Sequence, residues 1–100
     1  MFKTIRFAYR GVTFEWDSAK ASSNLAKHGI AFENACEVFF DPFLRVMDVA
    51  ATEEARDAVV GYTESQVLLN VVHMVRHEEA IRIISARRAG KEERRIYEHA

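Results

Sequence analysis

Apolar and polar residues alternate in several short stretches of the chain, and this period of two predicts β-strands. Near the N-terminus, two apolar or aromatic runs at residues 2–8 and 12–16 flank Arg10-Gly11, which favours a β-hairpin or one strand with an irregular lead-in. Further strands are predicted at residues 43–49, 58–63, 67–76 and 80–86, joined by a loop or helical turn at 50–57 and by turns at 64–65 and 77–79. The last three strand signals lie close together, so we expect an antiparallel meander.

Other stretches have the 3.6-residue period of helices. Asp17 is placed as the N-cap of a helix over residues 18–28, and Gly29 is placed at its left-handed stop. A second, short helix is predicted over residues 33–40, ended by Asp41-Pro42 because the residue before a proline avoids helical geometry. A Glu/Arg-rich helix is predicted to end near Tyr97. The pattern therefore predicts an α+β fold in one domain, residues 1–100, with two N-terminal helices packed on an antiparallel sheet and a short C-terminal helix.

The strand at residues 80–86 runs from a buried stretch into the basic pair Arg87-Arg88. A core strand that ends in guanidinium groups would hold cationic charge on rigid backbone. Strict alternation of side chains places Arg82 and Arg88 on one face and Arg87 on the other. We therefore expect at least one of the three to be structural or partner-binding.

Composition narrows the class of protein. The chain has 100 residues, 49% hydrophobic, which suffices for one small domain with a core. A single cysteine, Cys36, excludes an intramolecular disulfide and is expected to be a core residue. No apolar run reaches membrane-spanning length and no signal-peptide core follows the start, so we expect a soluble, cytoplasmic protein without a membrane partner.

Charge is distributed unevenly although the net charge is only −1. Residues 1–30 carry five basic and two acidic side chains, residues 31–79 three and ten, and residues 80–100 six and three. The two basic ends can meet in a compact domain and form one positive face, although an ordinary mixed surface explains the counts equally well.

Common catalytic motifs are missing from the sequence. It has no phosphate-binding glycine loop, no HExxH and no GxSxG. On a strand, His73 and His77 would lie about 13 Å apart, too far for one metal ion. We therefore expect no metal site and no cofactor.

The remaining polar residues suit metal-independent RNA cleavage, in which the 2′-hydroxyl attacks the adjacent phosphate. This reaction needs a base, cations near the phosphorane and an acid. The candidates lie on the last strand and on the first helix, where Lys20, Asn24 and Lys27 form one stripe that ends at His28. A solvated helix face and surface ion pairs with Glu92, Glu93 or Glu98 explain the same residues without function. Trp16 could stack on a base or lie in the core, and Tyr97 could serve RNA or simple packing.

The chain resembles the BrnT family of type II toxins over most of residues 14–97. The resemblance is carried by four segments: Trp16-Asp17-x-x-Lys20-x-x-x-Asn24-x-x-Lys27-His28-Gly29-x-x-Phe32-x-x-Ala35-x-x-Val38-Phe39-x-Asp41-Pro42; Glu54-x-Arg56 with Gly61; Ile83-Ile84-Ser85-Ala86-Arg87; and Ala89-x-x-x-Glu93-x-x-x-Tyr97. The chain departs from the family pattern in the extension formed by residues 1–12 and in Gly90, where a Ser or Thr cap is expected.

The resemblance implies a RelE-like ribonuclease fold and RNA cleavage that inhibits translation and arrests growth. It also implies a BrnA-like ribbon-helix-helix antitoxin, a 2:2 heterotetramer, and binding of operator DNA through the antitoxin. By position, the catalytic candidates are Arg82, Arg87, His28 and Lys27, and the RNA-binding candidates are Trp16, Lys20, Arg88 and Tyr97. The alternative is a non-catalytic module that acts as co-repressor in the toxin–antitoxin–DNA complex.

Overall fold

The computed structural model describes residues 3–47, 56–76 and 80–99. Its elements are strands β1 (Thr4–Tyr9) and β2 (Val12–Asp17), helices α1 (Ser18–His28) and α2 (Phe32–Ala35), a 3₁₀ helix (Cys36–Phe40), strands β3 (Arg45–Met47), β4 (Asp57–Tyr62), β5 (Leu68–Arg76) and β6 (Ala80–Arg88), and helix α3 (Lys91–Glu98). Residues 48–49 of the strand predicted at 43–49, residues 50–55 of the connection predicted at 50–57, the turn predicted at 77–79, and Glu54 of the family pattern lie outside the described residues.

The strands form one six-stranded sheet in the order β1-β2-β6-β5-β4-β3. Four neighbouring pairs are antiparallel, but β2 and β6 are parallel, with Phe14 opposite Ile81 and Glu15 opposite Arg82. The prediction of two N-terminal helices on an antiparallel sheet is therefore wrong. Two strands precede the helices, the sheet is mixed, and the second helix is one α-helical turn that tightens into the 3₁₀ helix.

The helical boundaries follow local chemistry. Asp17 caps α1 by accepting a hydrogen bond from the Ala19 amide at 2.7 Å, and Gly29 ends the helix with φ 72°, as predicted. Arg10 and Gly11 both have positive φ between β1 and β2, which is the geometry of a tight hairpin turn and confirms the hairpin.

The core lies between one face of the sheet and the segment α1, α2 and the 3₁₀ helix. Phe14, Phe32, Val38, Leu69 and Ile83 are among its fully buried side chains. We call this the core face of the sheet.

Helix α3 packs on the opposite face. On β5, Leu69 and Val71 belong to the core cluster, so the intervening Asn70 points to the other side, where its amide donates to Glu93 of α3 at 2.9 Å. We call this the α3 face.

Candidate functional site

The outer edge of β6 lacks a strand partner beyond Arg82, because the paired part of β2 ends there and the chain turns into α1. Helix α1 covers this edge through Asn24, which is buried. The Asn24 amide donates to the Ala86 carbonyl at 2.8 Å and accepts from the Ala86 amide at 3.1 Å. The stripe of α1 is thereby fixed against the last core strand.

A shallow cleft of about 170 Å³ follows this junction, and we call it the α1–β6 cleft. It is lined by Lys20, Ser23, Asn24, Lys27 and His28 from α1 and by Ile84 and Ser85 from β6. Within the described part of the chain, neither Lys20 nor Lys27 forms an ion pair with a carboxylate. The cleft therefore carries unpaired positive charge beside an imidazole, which favours an anionic ligand.

A β-bulge in β6 determines on which face of the sheet Arg82, Arg87 and Arg88 lie. Val72 is opposite Ser85 and His73 is opposite Ile83, so Ile84 is an extra residue. The extra residue reverses the alternation, and Ile83 and Ala86, three residues apart, both belong to the core cluster. The prediction from strict alternation is therefore wrong: Arg82 and Arg87 share the α3 face, and Arg88 lies on the core face.

Arg82 forms an ion pair with Glu15, which Arg6 also contacts. Its guanidinium donates to a Glu15 oxygen at 2.9 Å, and the other Glu15 oxygen lies 3.5 Å from Arg6. The side chain of Arg82 is 19% exposed. Glu15 fixes the direction of this guanidinium on the α3 face.

Arg87 is held from α3 by a two-point pair with Glu93, at 2.9 and 2.6 Å. Glu93 also accepts from the Asn70 side chain and from the backbone amide of Gly90, which occupies the N-cap position of α3 where a Ser or Thr was expected. The hydrogen bond from Arg87 is the main cause that lowers the pKa of Glu93, and the same bond raises the pKa of Arg87. Arg87 remains 46% exposed, so one side of a fixed guanidinium still faces solvent.

Ser85 lies between these two arginines on the α3 face and also lines the α1–β6 cleft. The structure thus brings five of the predicted residues to one region: Lys20, Lys27 and His28 on one wall, and Arg82 and Arg87 along β6. With one bulged residue between them, Arg82 and Arg87 are about 13 Å apart along the strand. They flank Ser85 from both sides.

Three predicted RNA-binding residues lie elsewhere. Trp16 is 2% exposed and packs between Phe7 and Phe32, so its ring has no open face for a base. The Tyr97 hydroxyl donates to Asp41 at 2.6 Å, and its ring meets Tyr62 edge-on. Arg88 is exposed on the core face, in a separate cleft.

The sequence reasoning missed two of the groups that orient the arginines, Glu15 and Asn70, whereas it named Glu93 as one of three possible ion-pair partners. A usable signal was present for both missed residues. Glu15 interrupts the aromatic run around Phe14 and Trp16, and Asn70 interrupts the most apolar strand of the chain. A polar side chain at such a position must find a partner when it is buried.

Cys36 is buried, as predicted, and its thiol donates to the Phe32 carbonyl at 3.3 Å. Burial is the main cause that raises its pKa to about 12, which disfavours the reactive thiolate. No group of three metal-ligating side chains occurs among residues 3–47, 56–76 and 80–99. Nor does any helix in these ranges have the length and apolar character needed to cross a bilayer.

Comparison with known proteins decides the family. Residues 16–93 match the family model described as "Ribonuclease toxin, BrnT, of type II toxin-antitoxin system". The chain belongs to the BrnT family. Type II systems pair each toxin with an antitoxin, so membership in the BrnT family implies an antitoxin partner.

A solved BrnT structure supports the same assignment. The crystal structure of the Brucella abortus ribonuclease toxin BrnT, at 1.1 Å resolution, is 28% identical to this chain, with a TM-score of 0.62. The alignment covers 76% of this chain and 94% of the Brucella chain. No curated protein matches the sequence.

Proposed function

We propose that this BrnT-family chain is a metal-independent endoribonuclease that cleaves RNA at the α1–β6 cleft. The observation that carries the proposal is the position of the cleft. Unpaired Lys20 and Lys27 face it beside His28, and the fixed guanidinium of Arg87 lies on the adjoining stretch of β6. An RNA phosphate needs cations of this kind, and the family name supplies the reaction class.

The proposed reaction is an internal transfer of the phosphoryl group. The 2′-oxygen attacks the adjacent phosphorus, the bond from phosphorus to the 5′-oxygen breaks, and the products are a 2′,3′-cyclic phosphate and a free 5′-hydroxyl. A base removes the 2′-hydroxyl proton, and an acid protonates the departing 5′-oxygen.

His28 is the proposed proton-transfer group, because an imidazole both accepts and donates a proton near neutral pH. Lys27 and Arg87 stabilise the charge that develops on the phosphorane. Arg82, fixed by Glu15, and Lys20 bind neighbouring phosphates. Glu93 and Glu15 act by holding the two guanidinium groups in place before substrate binds, which reduces the ordering cost of the transition state.

In the proposed cellular role, cleavage of RNA in the cytoplasm inhibits translation and arrests growth. A BrnA-like ribbon-helix-helix antitoxin neutralises the toxin in a 2:2 complex and carries it to operator DNA. The support for this part is membership in the BrnT family.

The decisive experiment uses purified toxin freed of antitoxin and an end-labelled RNA in the presence of EDTA. We expect cleavage products with cyclic phosphate and 5′-hydroxyl ends. Lys27→Ala with His28→Ala should reduce the rate at least 100-fold. The matched control is Arg95→Ala, which removes an exposed α3 arginine paired with Glu92.

A cell-free translation reaction, followed by mapping of mRNA 5′ ends, tests the cellular role. If the free toxin cuts no RNA in either assay while operator binding by the antitoxin still depends on it, the endoribonuclease proposal fails. That outcome would support the non-catalytic co-repressor instead.

A further inference from the structure

A second cleft, of about 150 Å³, lies on the core face of β6 at the C-terminal end of α1. We call it the Arg88 cleft. The lining residues used below are Gly29, Ile30, Asn34, Ser65, Leu69 and Arg88. None of them lines the α1–β6 cleft, and the proposed reaction uses none of them.

The two clefts adjoin along both chain segments that build them. On the helical side, Lys27 and His28 line the α1–β6 cleft, and the next two residues, Gly29 and Ile30, line the Arg88 cleft. On β6, Ser85 and Arg88 are three positions apart, about 10 Å.

The two arginines at the end of β6 lie on opposite faces of the sheet. Because neighbouring side chains on a strand point to opposite faces, Arg87 lies on the α3 face and Arg88 on the core face. Helix α1 ends at His28, and the chain continues along this edge to Ile30, whose carbonyl accepts from the same Asn24 side chain that binds Ala86. An RNA strand that passes His28 therefore reaches Gly29 and Ile30, which line the Arg88 cleft.

The Arg88 cleft presents hydrogen-bonding groups that can recognise the edge of a nucleobase. Its accessible surface is mainly polar, with the exposed Asn34 and Ser65 at the rim beside Arg88, whereas Leu69 beneath it is fully buried. Arg88 forms no ion pair within the described residues. A guanidinium pairs most specifically with the two acceptors O6 and N7 of guanine.

We propose that the Arg88 cleft binds the base of a nucleotide next to the cleaved bond, that it prefers guanine, and that Arg88 determines this preference. The proposal rests on the proposed ribonuclease function and adds the source of its sequence preference. Asn34 contributes a further hydrogen bond at the rim.

The first test is the distribution of bases around the cleavage sites of the free toxin on a random-sequence RNA pool. Wild type should favour G at one position flanking the cut, and Arg88→Gln should reduce that preference roughly 10-fold. Arg88→Lys keeps the charge but lacks the two-point geometry, so it should also lose the preference while retaining more of the RNA affinity. Arg95→Ala should leave the preference unchanged. A wild-type enzyme without a preference for G, or an unchanged distribution in Arg88→Gln, overturns the proposal while the ribonuclease function stands.

A binding measurement separates the two proposals if no cleavage occurs. Guanosine 3′-monophosphate, titrated into ¹⁵N-labelled toxin, should shift the amide resonances of Gly29 and Ser65, and cytidine 3′-monophosphate should do so at least 10-fold more weakly. Arg88→Gln should abolish this difference. Shifts confined to the α1–β6 cleft, or equal shifts with both nucleotides, contradict the base subsite. Shifts of the expected pattern without RNA cleavage would preserve the subsite and remove the ribonuclease function.

Discussion

The side chain of Asn24 takes the place of a β-strand partner for Ala86. Its amide group makes both hydrogen bonds that a neighbouring strand would make, to the Ala86 carbonyl and from the Ala86 amide, and it also donates to Ile30 at 3.0 Å. One side chain thereby closes the open edge of β6, anchors the end of α1 and aligns Lys27 and His28 with the arginines.

We expect Asn24→Ala to lower the free energy of unfolding by about 2–3 kcal/mol, since it leaves buried backbone groups of Ala86 and Ile30 without partners. Urea denaturation measures the change. The control is Asn34→Ala, an exposed asparagine on α2 whose loss should cost less than about 0.5 kcal/mol. Equal stabilities of the two variants would show that the Asn24 side chain does not stabilise the contact between α1 and β6.

Substitutions at the Arg87–Glu93 ion pair distinguish an effect on RNA cleavage from an effect on stability. Arg87→Ala should abolish RNA cleavage and leave Glu93 without its main partner, whereas Arg87→Ala with Glu93→Gln should be equally inactive but more stable than the single variant. The difference should be about 0.5–1 kcal/mol, because Arg87 is nearly half exposed and solvent screens the pair. Thermal unfolding and a cleavage assay are read together, with antitoxin binding as evidence of native folding. Substantial cleavage by either variant would remove Arg87 from the proposed site.

Tyr97 is expected to stabilise the fold rather than to contact RNA. Its hydroxyl donates to Asp41, which also accepts from the backbone amides of Phe43 and Tyr62, so one carboxylate joins α3 to β4 and to the turn before β3. Tyr97→Phe should lower stability by about 1 kcal/mol and leave the cleavage rate within twofold. A rate loss of 10-fold or more with unchanged stability would restore the RNA-binding role predicted from the sequence.

His73 makes stability depend on pH. It is buried on β5 with its ring edge against Phe39, and its Nδ1 has no hydrogen-bond partner among the described residues. Burial is the main cause that lowers its pKa below the ordinary 6.5, against smaller opposing contributions that include Asp57. Between the lowered pKa and 6.5 the unfolded chain binds more protons than the folded chain, so stability is full above pH 6.5 and falls as the pH drops.

The slope from His73 should not exceed about 1.4 kcal/mol per pH unit. Denaturation series at pH 7.5, 6.5 and 5.5 measure it, and His73→Leu should flatten the slope because it removes the titrating group. His99→Gln, which leaves His73 in place, should behave as wild type. A wild-type slope in His73→Leu would assign the effect to other groups.

Local signals in the sequence were sufficient to predict most of the helices, strands and turns. The Asp17 cap, the Gly29 stop, the hairpin at Arg10-Gly11 and the strand periods depend on residues close together in the chain, and the structure has them at or near the predicted positions. The burial of Cys36 also followed from its apolar neighbours. The family pattern was equally readable, because it is a property of residue order.

The prediction failed where distant segments meet. Parallel pairing of β2 with β6 joins residues more than 60 positions apart, and no local pattern encodes that choice. The bulge at Ile84 is set by how β6 fits β5 and the core, so strict alternation assigned Arg87 and Arg88 to the wrong faces. Trp16 had the chemistry to stack on a base, and only the packing of Phe7 and Phe32 around it makes it a core residue.

The sequence by itself therefore determined the elements, the family and the basic residues available for chemistry. The tertiary structure alone decided which of those residues share a surface, because this depends on a one-residue bulge and on long-range pairing. The bulge and the strand pairing are determined by the burial of the whole core, to which Ile83 and Ala86 both contribute. The preferences of a single segment do not determine them.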